Sequence, residues 1–332
     1  MLRQRSCSSL ARTVAAATYP DRMTTVDLPA PVVGSLSPSR AADFMNCPLL
    51  YRFRVVDRLP EEPSEAATRG TVVHAVLERL FDLPAAGRDL AAAVSLLPAV
   101  WAELLAEEPE LAALLAPLDA DPAEAPGEPA VAGVDALPGF LSAAPALLER
   151  YFALEDPRRL EPAERELAVS TVLDDGLLLR GFVDRLDVSP AGDLRVVDYK
   201  TGRAPGPGFE AKAMFQMRFY ALVLWRARGR VPRMLQLMYL GSGEVVSYAP
   251  DEADLLATER KVRAVWAAID RATRAGDWRP NPSRLCDYCS HRDTLCPAFG
   301  GTPPPLPESS PPPGLDAPTL EAPSPHTPGD EV

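Results

Sequence analysis

Lysine is scarce in this chain of 332 residues. It occurs at Lys200, Lys212 and Lys261, against 31 arginines. The sequence has no Gly-x-x-x-x-Gly-Lys-Ser/Thr loop, so any helicase motor that works with it would be a separate protein. It also has no run of about 18 uninterrupted apolar residues, and we therefore expect neither a transmembrane helix nor a membrane partner.

Positive charge is in short supply overall. The formal net charge is −12, which excludes a protein coated in basic surface. A nucleic acid partner would have to be held in a local basic groove. The candidate is segment 37–58, where four arginines lie among aromatic residues. An ordinary amphipathic helix with a solvated arginine face would have the same pattern.

Low-complexity sequence is found at both ends of the chain. Residues 1–25 resemble a transit peptide without the apolar region of a secretory signal, and a gene start placed too early, with Met23 as the true start, would look the same. The last 32 residues contain 11 prolines and five acidic residues but no Lys or Arg. We expect a disordered leader at 1–34, one folded domain, and a disordered acidic tail at 300–332.

Hydrophobic periodicity predicts a helical first half and a mixed second half of the domain. Ser37 and Pro38 suit an N-cap and first helical turn, for a helix that runs to about residue 57. A second helix is expected over 64–81, with Val73, Leu77 and Leu80 buried. The other predicted elements are helices within 84–154 around a loop at 119–135, strands at 165–173, 177–188 and 194–200, a helix over 209–228, a hairpin centred on 241–243 and a helix over 251–275. This order predicts an α/β layer fold.

Two acidic side chains are expected to meet at the ends of neighbouring strands. Asp198 and Lys200 share one face of their strand, and a hairpin through 189–193 would bring Asp184 beside Asp198. Buried charge is costly unless it is paired or bound to a metal. A structural ion pair between Asp198 and Lys200 is one explanation. A divalent cation between the two carboxylates, with the lysine alongside, would instead suit phosphodiester hydrolysis.

Four short motifs occur in the order in which one known family has them. They are Gly-Thr-Val-Val-His at 70–74, Gly-Phe-Val-Asp at 181–184, Asp-Tyr-Lys-Thr-Gly at 198–202 and Gln-Met-Arg-Phe-Tyr at 216–220. Together they resemble the RecB-type branch of the PD-(D/E)XK nuclease superfamily. The resemblance implies a restriction-endonuclease-like α/β core over 35–299, with a mixed central sheet flanked by helices, a helical N-terminal part and a helical insertion at 84–154.

The resemblance also implies roles for individual residues. It implies that Mg²⁺ or Mn²⁺ is bound by His74, Asp184, Asp198 and the backbone carbonyl of Tyr199. Lys200 becomes the catalytic lysine, with Gln216 and Tyr220 as positioning residues one helical turn apart. Glu166 matches an acidic position often seen in the family, although a solvated strand acid explains it equally well.

The cysteines form a second pattern. Cys47 stands alone near the start of the domain, while Cys286, Cys289 and Cys296 form C-x2-C-x6-C near its end. In a reducing compartment this grouping indicates a metal site, and spacing alone fits zinc or an iron-sulfur cluster. The similarity to AddB-type and CRISPR-associated nucleases implies a [4Fe-4S] cluster that joins the two ends of the domain. With zinc, His291 could replace one ligand.

The expected function is a metal-dependent DNA exonuclease of the RecB family, in DNA repair or recombination. Its substrate would be single-stranded DNA or single-stranded ends, and it would act in the cytoplasm. A non-catalytic DNA-binding module that retains the fold and cluster is the alternative from another class. RNA is an open alternative as substrate, because no base-reading motif is visible.

Overall fold

The computed structural model describes residues 32–115, 137–206 and 210–307 of the chain. Within them, the strands are β1 (Gly34–Leu36), β2 (Glu164–Val172), β3 (Leu177–Val188), β4 (Leu194–Lys200), β5 (Met234–Tyr239) and β6 (Glu244–Tyr248). The α-helices are α1 (Pro38–Asn46), α2 (Pro48–Tyr51), α3 (Glu65–Leu80), α4 (Leu90–Glu107), α5 (Ala144–Leu154), α6 (Glu210–Arg228) and α7 (Glu252–Ala275). From α3 to α7 the elements follow the predicted order.

The six strands form one mixed sheet. Its order is β1-β3-β4-β5-β6, and β2 pairs antiparallel with β3 along the edge of β3 away from β1 and β4. On the shared edge, β1 pairs with residues 177–179 of β3, while β4 pairs with residues 185–188. Residues 180–184 therefore have no strand partner on that edge. The sheet opens there, between the end of one neighbour and the start of the other.

Helices cover both faces of the sheet, and each face has its own core. Leu194 and Val196 of β4 are buried in the first core, with residues of α1, α6 and α7. Val197 and Tyr199, on the opposite face, are buried in the second core with residues of α3, α4 and α5. The alternation predicted for β4 is thus confirmed, and it directs Asp198 and Lys200 to the face covered by α6.

The predicted helix from 37 to 57 is wrong in one respect. Ser37 caps α1 as expected, but the helix ends at Asn46 because Cys47 is extended before Pro48. A residue before proline is pushed out of the α region, and the proline starts the next helix. A π-helical turn, Arg52–Val56, completes the segment.

The limits of the domain also differ from the predicted ones. Strand β1 was not predicted, and it begins at Gly34, inside the expected leader. Pro304 of the expected tail contacts the domain, since its carbonyl accepts a hydrogen bond from the Arg52 guanidinium. The predicted loop at 119–135 lies outside the described residues.

Helix α4 is apolar along most of its length. Its length and its mean hydropathy of 1.5 over 18 residues would be enough to cross a membrane. The sequence was expected to contain no such helix, and α4 is one candidate among the described residues. Its residues Ala93, Leu97, Val100 and Trp101 are buried in the second core, where α4 packs against α3 and α5. The buried stripe of α4 therefore has a protein partner within the fold.

Gly241 provides a test of the packing behind β4. A Cβ atom at this position would lie 2.4 Å from the backbone of Gly202, two residues after Lys200. We predict that Gly241→Ala lowers the free energy of unfolding by about 1–3 kcal/mol, because two backbone segments must separate. Urea unfolding measures it. The matched control is Gly87→Ala, where the added methyl meets open space. Equal losses in the two variants would contradict the prediction.

Candidate active site

The opening in the sheet is bridged by one side chain. Asp184, the last unpaired residue of β3 before β4 joins, accepts a hydrogen bond from the backbone N–H of Tyr199 at 2.7 Å. A carboxylate therefore takes the place of a strand carbonyl as the partner of β4. Burial raises the pKa of Asp184 to about 6, although the Tyr199 N–H opposes the shift.

Strand β2 is distorted at Glu166, directly opposite Asp184. Arg165 pairs with Arg185 and Leu167 with Val183, but Glu166 lies between these pairs with φ +43°. A left-handed conformation in a non-glycine residue costs about 1–3 kcal/mol and is concentrated at functional sites. The distortion brings the carboxylate of Glu166 towards Asp184. Burial, and then the charge of Asp184, raises the pKa of Glu166 to about 8.

Helix α3 adds an imidazole to this pair of carboxylates. Nδ1 of His74 lies 3.4 Å from Oδ2 of Asp184. Burial lowers the pKa of His74, so the ring is held neutral, the form in which histidine binds metal ions. His74, Glu166 and Asp184 each offer one donor atom, and the three atoms lie within 4.8 Å of one another. Two carboxylates and a neutral imidazole thus converge on one point.

A second group of side chains continues from Asp198. Nζ of Lys200 lies 2.7 Å from Oδ2 of Asp198 and donates to Oε1 of Gln216 at 3.0 Å. Nε2 of Gln216 in turn donates to Oδ1 of Asp198 and to Oη of Tyr220, both at 3.0 Å. Gln216 and Tyr220 are on the same face of α6. Burial, and then the charge of Asp184, raises the pKa of Asp198 to about 6.

The predicted site residues therefore lie together, but in two groups. The convergent donors are His74, Asp184 and Glu166, and Glu166 was the least favoured of the candidates. Asp198 is engaged by Lys200 and Gln216 instead, while the charge of Asp184 still acts on it. The roles of these residues stay predictions.

The donor set fits a hard divalent cation. Three carboxylates share the opening, and the pKa of each is raised, which means that their negative charge is not fully compensated by the protein. Carboxylate and carbonyl oxygens suit Mg²⁺ or Mn²⁺, and a neutral imidazole is a common further ligand. A cation at this point would relieve the repulsion.

Comparison with known proteins agrees with this geometry. The family model of the PD-(D/E)XK nuclease superfamily matches residues 35–297, which is most of the chain. The chain belongs to the PD-(D/E)XK nuclease superfamily. Its mixed sheet flanked by helices is the restriction-endonuclease-like α/β fold of that superfamily, as the sequence motifs predicted.

Individual relatives are more distant. Gene 69 protein of Mycobacterium phage L5 is 30% identical over 128 residues, which are 38% of this chain and 41% of the phage protein. The chain therefore matches less than half the length of this relative. A crystal structure of a candidate exonuclease from Eubacterium rectale is 12% identical with a TM-score of 0.47, covering 79% of this chain and 90% of that one. The structure of SSO0001 is 20% identical with a TM-score of 0.31, covering 50% and 73%.

Behind this PD-(D/E)XK site lies a buried arginine that sequence reasoning missed. Arg185 is fully buried and forms ion pairs with Glu155 at 2.6 Å and with Asp187 at 3.1 Å. It also donates to Oη of Tyr199 at 2.7 Å. Tyr199 is the residue whose N–H holds Asp184, so the network fixes the backbone beside the site. An arginine inside the apolar run 177–188 was the available signal.

The cysteines of the superfamily domain also lie together. Cys47, Cys286, Cys289 and Cys296 line one cavity of about 200 Å³, and none of them forms a disulfide. The sulfurs of Cys47 and Cys286 accept backbone N–H groups at 3.4 and 3.3 Å. The four predicted ligands are therefore neighbours around one cavity.

His291, the alternative zinc ligand, contacts Glu61 and Phe53. Its Nε2 lies 3.4 Å from Oε1 of Glu61, and its ring packs edge-on against Phe53 at 5.0 Å between centroids. It is not among the residues that line the cysteine cavity. Of the five candidate ligands, the four thiols are the ones that line the cavity.

The raised pKa values predict how stability depends on pH. Glu166, Asp184 and Asp198 bind protons more tightly in the native than in the unfolded state. Without divalent ions, the free energy of unfolding should therefore fall as the pH rises from about 4 to 8. Mn²⁺ or Mg²⁺ should reverse part of the fall. Thermal melting in chelator and in excess metal measures both effects.

Glu166→Gln is the matched variant for this experiment. It removes the group with the highest pKa, so the fall in stability between pH 6 and 8 should become smaller while the fall below pH 6 remains. A melting temperature that does not change between pH 4 and 8 in the wild type would contradict the prediction.

Proposed function

We propose that the protein is a divalent-metal-dependent DNA exonuclease of the RecB type. The observation that carries the proposal is the meeting of His74, Asp184 and the Asp198–Lys200 pair at the opening between β3 and β4. A purely structural ion pair would need no third and fourth ionisable group at the same point. The family membership supports phosphodiester hydrolysis as the chemistry.

The residues that would hold the metal are His74, Asp184, Asp198 and the Tyr199 carbonyl. Glu166 is added to them because its carboxylate lies with those of the donor group. When bound, the metal supplies Lewis acidity towards a phosphoryl oxygen and lowers the pKa of water. His74 offers a neutral ring, and Asp184 stays fixed by the Tyr199 N–H.

Lys200 and its partners would act on the water and the phosphate. The ammonium is held by Asp198 and Gln216, so its position is set before a substrate arrives. From there it can orient the attacking water and offset negative charge that develops on the phosphate. Gln216 fixes Asp198, Lys200 and Tyr220 at once, which makes it a positioning residue.

We further propose a place for the reaction. Single-stranded DNA or single-stranded ends are the proposed substrate, in repair or recombination, and a separate helicase is the proposed partner. A cytoplasmic location suits four reduced cysteines.

Lys200→Ala tests the catalytic proposal. We predict that it lowers the rate of metal-dependent degradation of labelled single-stranded DNA by about 10²–10⁴-fold, because a positioned acid–base and charge-stabilising group is lost. Lys261→Ala is the matched control. Lys261 is exposed on α7, over the ring of Phe215, and should be dispensable. Equal activity of wild type and Lys200→Ala would overturn the assignment, and inactivity of both would favour a non-catalytic DNA-binding module.

We propose that the cysteine site holds a [4Fe-4S] cluster. The support is the meeting of four thiols, none of them in a disulfide, around one cavity. Cys47 belongs to the start of the domain and the other three to its end. A cluster would therefore join the first and last segments of the fold and act in stability.

The metal content of the purified protein tests this assignment. Protein prepared without oxygen should be brown and contain about four irons per chain. Cys289→Ser should lose the iron and melt at a lower temperature, while Ser290→Ala, its exposed neighbour, should retain both properties. Colourless protein with one zinc per chain would refute the cluster and support a zinc site.

A further inference from the structure

The wide cleft that opens onto the candidate active site has an unusual charge. Its volume is about 1030 Å³, and His74 and Lys200 form part of its lining. None of the residues that line it in the described part of the chain is acidic, although the chain as a whole has a net charge of −12. A cleft lined without carboxylates does not repel an anionic substrate, even though the protein as a whole is acidic.

One part of the lining comes from residues 281–285, which we call the cleft wall. Asn281, Ser283, Arg284 and Leu285 of the wall line the same cleft as Lys200 and Gly202. Arg284 is exposed, and it has no ion pair or hydrogen bond with any described residue. Many other arginines of the protein form ion pairs with carboxylates, as Arg54 does with Asp43 and Glu61.

The cleft wall also offers apolar surface. Leu285 follows Arg284 directly and is 50% exposed, and Met45 lies among the other lining residues. A duplex presents phosphates outward and hides the faces of its bases, so it has little use for apolar side chains next to a cation. A single strand presents both unpaired base faces and phosphates. The combination therefore fits a single strand.

The cysteine site fixes the position of the wall. The backbone N–H of Asn281 donates to the sulfur of Cys47, and its side-chain amide donates to the carbonyl of Asn46 at 2.8 Å. The N–H of Ser283 donates to the sulfur of Cys286. The wall is thus held at Asn281 and Ser283, so Arg284 and Leu285 follow directly on a supported segment.

We infer that the cleft wall binds the substrate strand: Arg284 contacts a backbone phosphate and Leu285 packs against an unpaired base. This inference rests on the proposed nuclease function and names the residues that select single-stranded DNA. Recognition of this kind does not read the base sequence, since Arg284 supplies a cation and Leu285 an apolar surface. It should therefore be tolerant of sequence.

The experiment measures binding in the Lys200→Ala protein without divalent ions, so that no substrate is degraded. Fluorescence anisotropy of a labelled oligothymidylate gives the dissociation constant over a series of salt concentrations. Adding Arg284→Ala should weaken binding by about five- to tenfold at low salt and reduce the slope of log K against log salt by about one. Arg228→Ala is the matched control. Arg228 is exposed near the other end of α6, about 18 Å along the helix from Gln216, and should change neither quantity.

Leu285→Ala gives the second signature. It should weaken binding of the single strand by about threefold with an unchanged salt slope, because an apolar contact releases no counterions. Binding of a blunt hairpin duplex should not change. Thermal melting checks that each variant is folded, as expected for exposed side chains.

Two results would overturn the inference. One is Arg284→Ala binding the oligonucleotide as the Arg228→Ala control does, and the other is Leu285→Ala weakening duplex and single strand alike. Both readouts are binding constants of a catalytically inactive protein. These binding constants are therefore independent of the nuclease assay on wild type and Lys200→Ala, which tests the proposed function itself.

Discussion

One hydrogen bond, from the Tyr199 N–H to the Asp184 carboxylate, stands where the sheet cannot be continuous. Strand β3 loses β1 as a partner after residue 179 and gains β4 from residue 185, so the backbone between them lacks strand pairing on that edge. A side chain fills the role of a backbone acceptor. Because that side chain is a carboxylate, the same interaction that closes the sheet also supplies the central acid of the site.

The arrangement makes the site electrostatically unfavourable by itself. Asp184, Asp198 and Glu166 are buried near one another, and the pKa of each is raised. The surrounding structure tolerates this because it is held elsewhere by strong contacts, above all by the buried Arg185 with Glu155 and Asp187. Removing one partner from such a network typically costs about 3–5 kcal/mol. The ion pairs of Arg185 thus stabilise the part of the sheet that carries the three neighbouring carboxylates.

Much of the fold and the grouping of the site could be predicted from the sequence. Alternation along β4 fixed the faces of Asp198 and Tyr199, and spacing on α6 placed Gln216 and Tyr220 together, because both depend on local periodicity alone. The left-handed backbone of Glu166 has no such signal, since it depends on the pairing of β2 with β3. Strand β1 is three residues long and pairs with a segment more than 140 positions away, so no local pattern marks it. Pro48 could have predicted the end of α1, but the amphipathic pattern continues on both sides of the proline and favoured one long helix.

The bond between Asn281 and Asn46 spans 235 positions of the sequence. A ribosome synthesises the sheet, its two cores and all the ionisable groups of the opening before it reaches residue 281. The nascent protein can therefore assemble its acids early, but the cleft wall at 281–285 is added only after them. Synthesis order alone would keep the complete cleft from existing before that segment emerges.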